Sequence, residues 1–321
     1  MSGPLILFDM DGVIFREDGY LQCAALTIAH VYQLTHHEMM NWRYDPNRVA
    51  HQEDVIALQA VYLHETVIRL LRQRAINNNW DKTFACLCIL LGYPTILPEE
   101  AIAETLVSVF SPIEGEGDAF LRGCYRYYSR DNEKRTAFYQ DVKKRFQCYY
   151  LGDKLAHTPL LVDGLLTLET TILPTVMIDD LFASLCEAGA TLGVGTGRPL
   201  EEVIRPLQQL KLLSYFDAKR IKTHDDVVAY AEQLGVMEQV VAKPHPYVYL
   251  AGADGFLPSQ TFVVGDSMAD ARAAFQAGFH FYGIGTAASF GELAKDAAAI
   301  AEDVVQHKGK LLDDVRRIAM L

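Results

Sequence analysis

Residues 5–12 read Leu-Ile-Leu-Phe-Asp-Met-Asp-Gly. The run 4–8, Pro-Leu-Ile-Leu-Phe, leads directly into two carboxylates and a glycine. A continuous apolar run this short suits a strand covered on both faces. An open parallel sheet binds its ligands at the carboxyl ends of its strands. Asp9 and Asp11 therefore stand where such a sheet does chemistry. Two acids this close need a cation or a shared proton between them, and an oxygen-only donor set suits Mg²⁺. The residues alone also allow a plainer reading, in which Asp11-Gly12 supplies a solvated turn.

Working outward, similar apolar runs recur at Thr191–Val194, Gln239–Ala242, Thr261–Val264 and Phe279–Ile284. Helical patterns separate them at Asp179–Ala188, Leu200–Leu210, Asp225–Leu234 and Ala269–Ala277. This alternation predicts an α/β fold with a mainly parallel, Rossmann-like sheet. The middle of the chain differs. Ile56, Leu63, Val67 and Leu70 recur at helical spacing, as do Phe138, Val142, Phe146 and Tyr149. The expected organisation is a discontinuous α/β core, residues 1–16 and 166–321, interrupted by an all-helical domain over 17–165.

The other expected strand ends also carry reactive groups. Gly195-Thr196-Gly197-Arg198-Pro199 offers a hydroxyl and a glycine that lets backbone N–H groups approach an anion. An ordinary strand–helix turn is the bland alternative. A dinucleotide fingerprint is another, since Gly193, Gly195 and Gly197 alternate, but Arg198 stands where its third glycine belongs. Lys243 follows the run Gln239–Ala242, where its charge can neutralise carboxylates and hold a phosphate oxygen; a solvated surface lysine is the alternative. Asp266 and Asp270 follow Thr261–Val264, and one or both complete a metal site; the alternative is an N-cap role for Asp266 or Ser267.

Composition narrows the classes. At about 150 residues per domain, 321 residues make two domains. Lys+Arg total 29 and Asp+Glu 41, a net charge of −12, which argues against nucleic-acid binding through a broad basic face. The longest apolar run, Phe84 to Leu91, is far short of a membrane span. The N-terminus reads as lacking a secretory signal, so a cytoplasmic location is expected. Cys23, Cys86, Cys88, Cys124, Cys148 and Cys186 are expected as thiols, with Cys86 and Cys88 as small buried hydrophobes rather than zinc ligands.

Taken together and in order, LILFDMDGV, GVGTGRP, AKPHP and VVGDSMADARAA resemble the four motifs of the haloacid dehalogenase superfamily. An insertion directly after the first motif is similar to the helical cap of the phosphoglycolate phosphatase and β-phosphoglucomutase branch, although the insert here is larger. The resemblance implies a Mg²⁺-dependent phosphatase acting on a small phosphorylated metabolite through an aspartyl-phosphate. It implies Asp9 as nucleophile and Asp11 as general acid and base. Phosphate binding would fall to Thr196, Lys243 and the backbone around Met10 and Gly197. Mg²⁺ would be held by Asp9, the Asp11 carbonyl, Asp266 and Asp270, the last directly or through water. Dehalogenases and phosphonatases of the superfamily lack an acid at the position of Asp11, which favours phosphate esters. A phosphomutase and a non-catalytic phospho-acceptor module are the alternatives. Cap residues such as Arg43, Arg48, Arg72, Arg122, Arg126 and Lys134 are candidates for substrate contact or for a solvated helix face.

Overall fold

The computed structural model describes residues 3–36, 52–74, 76, 78–152, 164–284 and 299–302. The chain divides into two compact units: Met1–Glu17 with Thr170–Leu321, and Asp18–Glu169.

The first unit is built on a six-stranded sheet in the order β3-β2-β1-β4-β5-β6. The strands are β1 (Leu5–Phe8), β2 (Thr191–Gly195), β3 (Phe216–Lys222), β4 (Thr261–Gly265), β5 (His280–Ile284) and β6 (Ala299–Glu302). Every neighbouring pair is parallel. β1 lies at the centre, and its side chains alternate between two separate apolar layers. Ile6 and Phe8 pack with Ile178, Phe182 and Leu185 of the helix Thr175–Glu187 and with Val203 and Leu207 of Leu200–Gln209. Leu5 and Leu7 pack on the other face with residues of His224–Leu234, Tyr247–Gly252 and Met268–Ala277. Both faces are dry, so every position of β1 is apolar and buried.

Two differences from the expected strands have physical causes. Gln239–Ala242 is not a strand; Glu238–Val241 forms one helical turn instead. Within it Val241 is 2% exposed and Val240 is 56% exposed. Only one valine reaches the core, whereas a central strand would bury both. Lys243 therefore leaves a helical turn, not a strand. Conversely β3, Phe-Asp-Ala-Lys-Arg-Ile-Lys, is a strand despite four charged residues in seven. It ends the sheet's order and pairs with β2 alone, so polar residues along it remain at the surface. β6 was likewise not expected.

The second unit holds seven α-helices among the described residues: Asp18–Thr35, Gln52–Tyr62, Glu65–Gln73, Asn79–Gly92, Glu99–Phe110, Asp118–Tyr128 and Arg135–Leu151. Asn79–Gly92 is apolar all round and buries every residue from Thr83 to Leu90, including Cys86 and Cys88. Burial raises both thiols above their ordinary range, and all six cysteines are thiols. The apolar stripe from Ile56 to Leu70 belongs to two helices, not one. The first ends at Tyr62, and the His64 side chain caps the second by accepting from the Thr66 N–H. Ile56 is accordingly 51% exposed.

The helical turn at Glu238–Val241 makes a prediction by urea denaturation. Val241→Ala will cost about 2 kcal/mol through lost burial and a residual cavity, while Val240→Ser will change stability by less than about 0.5 kcal/mol. Equal losses at the two positions would contradict the turn.

Candidate active site

The register of three strands assembles the site. Phe8 pairs with Val194 on one side and Val264 on the other. The next residue, Asp9, is thus level with Gly195 and Gly265, and its N–H donates to the Val264 carbonyl at 2.9 Å. Thr196 and Asp266 lie one residue further on. After Asp9 the chain winds tightly: the Met10 carbonyl accepts from Ile14 and Phe15, both at 2.9 Å, and Gly12 donates to Phe15 at 2.8 Å. Gly12 has φ +69°, and a Cβ there would fall 2.1 Å from Asp266 Oδ2. Glycine both permits the turn and lets the Asp266 carboxylate come against it.

Lys243 reaches this cluster from its helical turn. Its Nζ lies 3.0 Å from Asp9 Oδ2 and 2.7 Å from Asp270 Oδ1, with the Gly195 carbonyl at 3.5 Å. Asp270 is fully buried. Its Oδ1 also accepts from the Tyr249 hydroxyl at 2.7 Å. Its Oδ2 accepts from the Ser267 hydroxyl at 2.6 Å and the Ser267 N–H at 3.2 Å. Protein donors thus occupy both oxygens. Asp270 holds Lys243 in place and closes the capping box of its own helix. Tyr249 enters this layer because Gly195 has no side chain: a Cβ at 195 would meet the Tyr249 ring at 2.5 Å.

Asp9, Asp266 and Asp270 each offer an oxygen within 4.8 Å of the others. Burial raises Asp9 to about 7 against the pull of Lys243, and burial, with Asp270 and Asp9 nearby, raises Asp266 to about 8. Burial would raise Asp270 too, but the Lys243 charge and its hydrogen bonds bring it below the ordinary carboxylate value. Lys243, though buried, is driven up by Asp270 and Asp9. Two acids with hard oxygen donors and too little positive charge fit a small divalent cation. Asp9 and Asp266 are the members of the cluster with that unmet demand.

The remaining expected residues fall as follows. Asp11 is paired with Arg198: Nη2 donates to Oδ1 at 2.5 Å, and Nε donates to both oxygens at 3.2 Å. The Thr196 hydroxyl is buried and accepts from the Arg198 N–H at 3.2 Å. A Cβ at Gly197 would meet nothing within 4 Å, so backbone there is open to a ligand. The Met10 side chain is in the core, and its backbone favours the charged form of Asp9. In the helical unit Arg122 pairs with Asp118 and Lys134 with Asp131, both on the surface. Arg43 and Arg48 lie outside the described residues. Sequence reasoning missed Arg198, Tyr249 and Ser267 as parts of the site. A charge set between Gly197 and Pro199 at a strand end was the available signal for Arg198; Tyr249 offered none.

A family model for haloacid dehalogenase-like hydrolases matches residues 4–278. The chain belongs to this family. Among solved structures, an X-ray structure from the Northeast Structural Genomics Consortium is 21% identical with a TM-score of 0.77, covering 98% of this chain and 100% of its own. A phosphatase from Thermococcus thioreducens is 16% identical with a TM-score of 0.55, covering 98% and 99%. At these identities the likeness is one of fold. No curated protein matches the sequence. The haloacid dehalogenase-like hydrolase is an enzyme, and among its described residues no helix is long and apolar enough to cross a membrane.

The raised acids set a pH dependence. Asp9 and Asp266 titrate at about 7 and 8 when folded, against an ordinary 3.8. Between those values the folded, metal-free protein holds more protons than the unfolded chain, so its stability falls as pH rises through about 4 to 8. Thermal unfolding in EDTA is expected to show this decline. A midpoint that stays level or rises between about pH 4 and 8 would contradict it.

Proposed function

We propose that this hydrolase is a Mg²⁺-dependent phosphatase that cleaves a small phosphorylated metabolite through an aspartyl-phosphate on Asp9. The observation that carries the reading is the contact of Lys243 Nζ with Asp9 Oδ2 at 3.0 Å, with Asp266 alongside and Asp11 held separately by Arg198. A carboxylate attacks an anionic ester only when cations screen both partners. Lys243 supplies one such charge. Mg²⁺, held by Asp9, Asp266 and the Asp11 carbonyl, would supply the second and orient the phosphoryl group.

In the first half-reaction an Asp9 oxygen bonds to phosphorus as the ester P–O bond breaks, and Asp11 donates a proton to the departing alkoxide. In the second, Asp11 takes a proton from water, whose oxygen bonds to phosphorus. The P–O bond to Asp9 breaks and inorganic phosphate leaves. Thr196, the open backbone at Gly197 and the backbone at Met10 hold the phosphoryl oxygens. Asp270, with both oxygens occupied by Lys243, Tyr249 and Ser267, serves by fixing Lys243. The all-helical unit, inserted directly after this first loop, is assigned to substrate selection.

Phosphate release from a panel of phosphorylated metabolites, with Mg²⁺ and with EDTA, tests the reading. Wild type is expected to turn over at least one ester only with the metal. Asp9→Asn is expected to lower kcat by about 1,000-fold or more, and a phosphate adduct on the Asp9 peptide is expected after acid quench. Turnover unchanged in Asp9→Asn would overturn the mechanism. Isomerisation of a sugar phosphate without phosphate release would make the protein a mutase.

A further inference from the structure

Arg198 is almost sealed from solvent. Its side chain is 1% exposed, yet it faces a carboxylate, Asp11, that is 30% exposed. Three of its nitrogens donate to protein atoms. Nε and Nη2 engage Asp11, and Nη1 donates to the Glu202 carbonyl at 3.2 Å. The guanidinium carbon lies 5.3 Å from the centre of the Phe15 ring. Phe15 belongs to the same tight loop as Asp11, because the Gly12 N–H donates to its carbonyl. The Arg198 backbone is fixed as well: its N–H donates to Thr196 Oγ1, and its carbonyl accepts from His224 at 2.9 Å. One buried arginine thus ties the loop after β1 to the loop after β2.

We propose that Arg198 is the positioning residue for Asp11, setting the direction of its carboxylate before substrate arrives. This rests on the reading of Asp11 as the acid and base of a phosphatase. An aspartate on a partly open loop has two rotatable bonds, and general acid catalysis requires the carboxyl within hydrogen-bond reach of the leaving oxygen. The planar fork of Arg198 restrains both carboxylate oxygens, which a lysine's point charge does not do. An arginine serving substrate phosphate would present its donors to the open site. Here the Nε and Nη2 donors go to Asp11 and an Nη1 donor goes to the backbone of the helix that follows, Leu200–Gln209.

The test separates proton transfer from phosphate binding. Arg198→Gln and Arg198→Lys are compared with wild type on p-nitrophenyl phosphate, whose leaving group needs little protonation, and phenyl phosphate, whose leaving group needs more. Competitive inhibition by inorganic phosphate is measured alongside. Arg198→Gln is expected to lower kcat/KM for phenyl phosphate by about 100-fold and for p-nitrophenyl phosphate by less than about 10-fold, with phosphate inhibition unchanged. On an Asp11→Asn background Arg198→Gln is expected to cause no further loss, because it acts through Asp11. Equal losses on both substrates, weaker phosphate inhibition, or a further loss on the Asp11→Asn background would each overturn the proposal. Unfolding midpoints are recorded first; should Arg198→Gln not fold, Arg198→Lys carries the same comparisons, with a smaller leaving-group effect expected. A wild-type protein that releases phosphate from neither aryl phosphate nor any ester of the metabolite panel would overturn the phosphatase reading itself, an outcome distinct from those above.

Discussion

The ammonium of Lys243 sits between two buried carboxylates, and the candidate site at the carboxyl end of the sheet is organised around it. It contacts Asp9 at 3.0 Å and Asp270 at 2.7 Å. Asp266 adds a third acid, its oxygen within 4.8 Å of the others. One cation does not neutralise three neighbouring anions, two of them buried and Asp266 half-buried, and an unpaired buried charge costs several kcal/mol. Asp270 is satisfied, because Lys243, Tyr249 and Ser267 all donate to it. The deficit therefore falls on Asp9 and Asp266, which respond by holding protons to about pH 7 and 8. The same group of acids could hold a divalent cation in place of those protons.

That concentration of charge depends on an apolar scaffold with no tolerance for slippage. β1 is anchored on both sides by parallel partners and on both faces by helices. A shift of one residue in its register would exchange Ile6 and Phe8 for Leu5 and Leu7 and move Asp9 away from Gly195. Close approach does the rest. Without a side chain at 195 the Tyr249 ring reaches Asp270, and without one at 12 the Asp266 carboxylate meets the loop after β1. Arg198 adds a cross-link between that loop and β2's exit by pairing with Asp11.

The α/β class was legible because a sheet covered on both faces writes continuous apolar runs between helical patterns. Asp9, Thr196 and Asp266 were legible as candidates because each stands one or two residues beyond such a run, and Asp270 because it lies one helical turn past Asp266. What depended on the third dimension was not. Asp11 and Arg198 are 187 residues apart, and no local pattern pairs them. Tyr249 reads as an ordinary core aromatic until the bare Cα of Gly195 opposite it is seen. Lys243 was recognised, but its support was misread, since Val240-Val241 has strand-like composition while only Val241 is buried. β3 was missed for the opposite reason: polar residues are tolerated on a strand that pairs on one side only.

The central claim is that Asp9 and Asp266 hold protons in place of a metal. It is tested most directly by titrating Mg²⁺ into the metal-free protein in a calorimeter, in two buffers of different ionisation enthalpy. At pH 6.5 binding is expected to release protons, at least one per ion, and at pH 9 release is expected to fall toward zero as both acids are already ionised. Binding with no proton release at pH 6.5, or no binding at either pH, would contradict it.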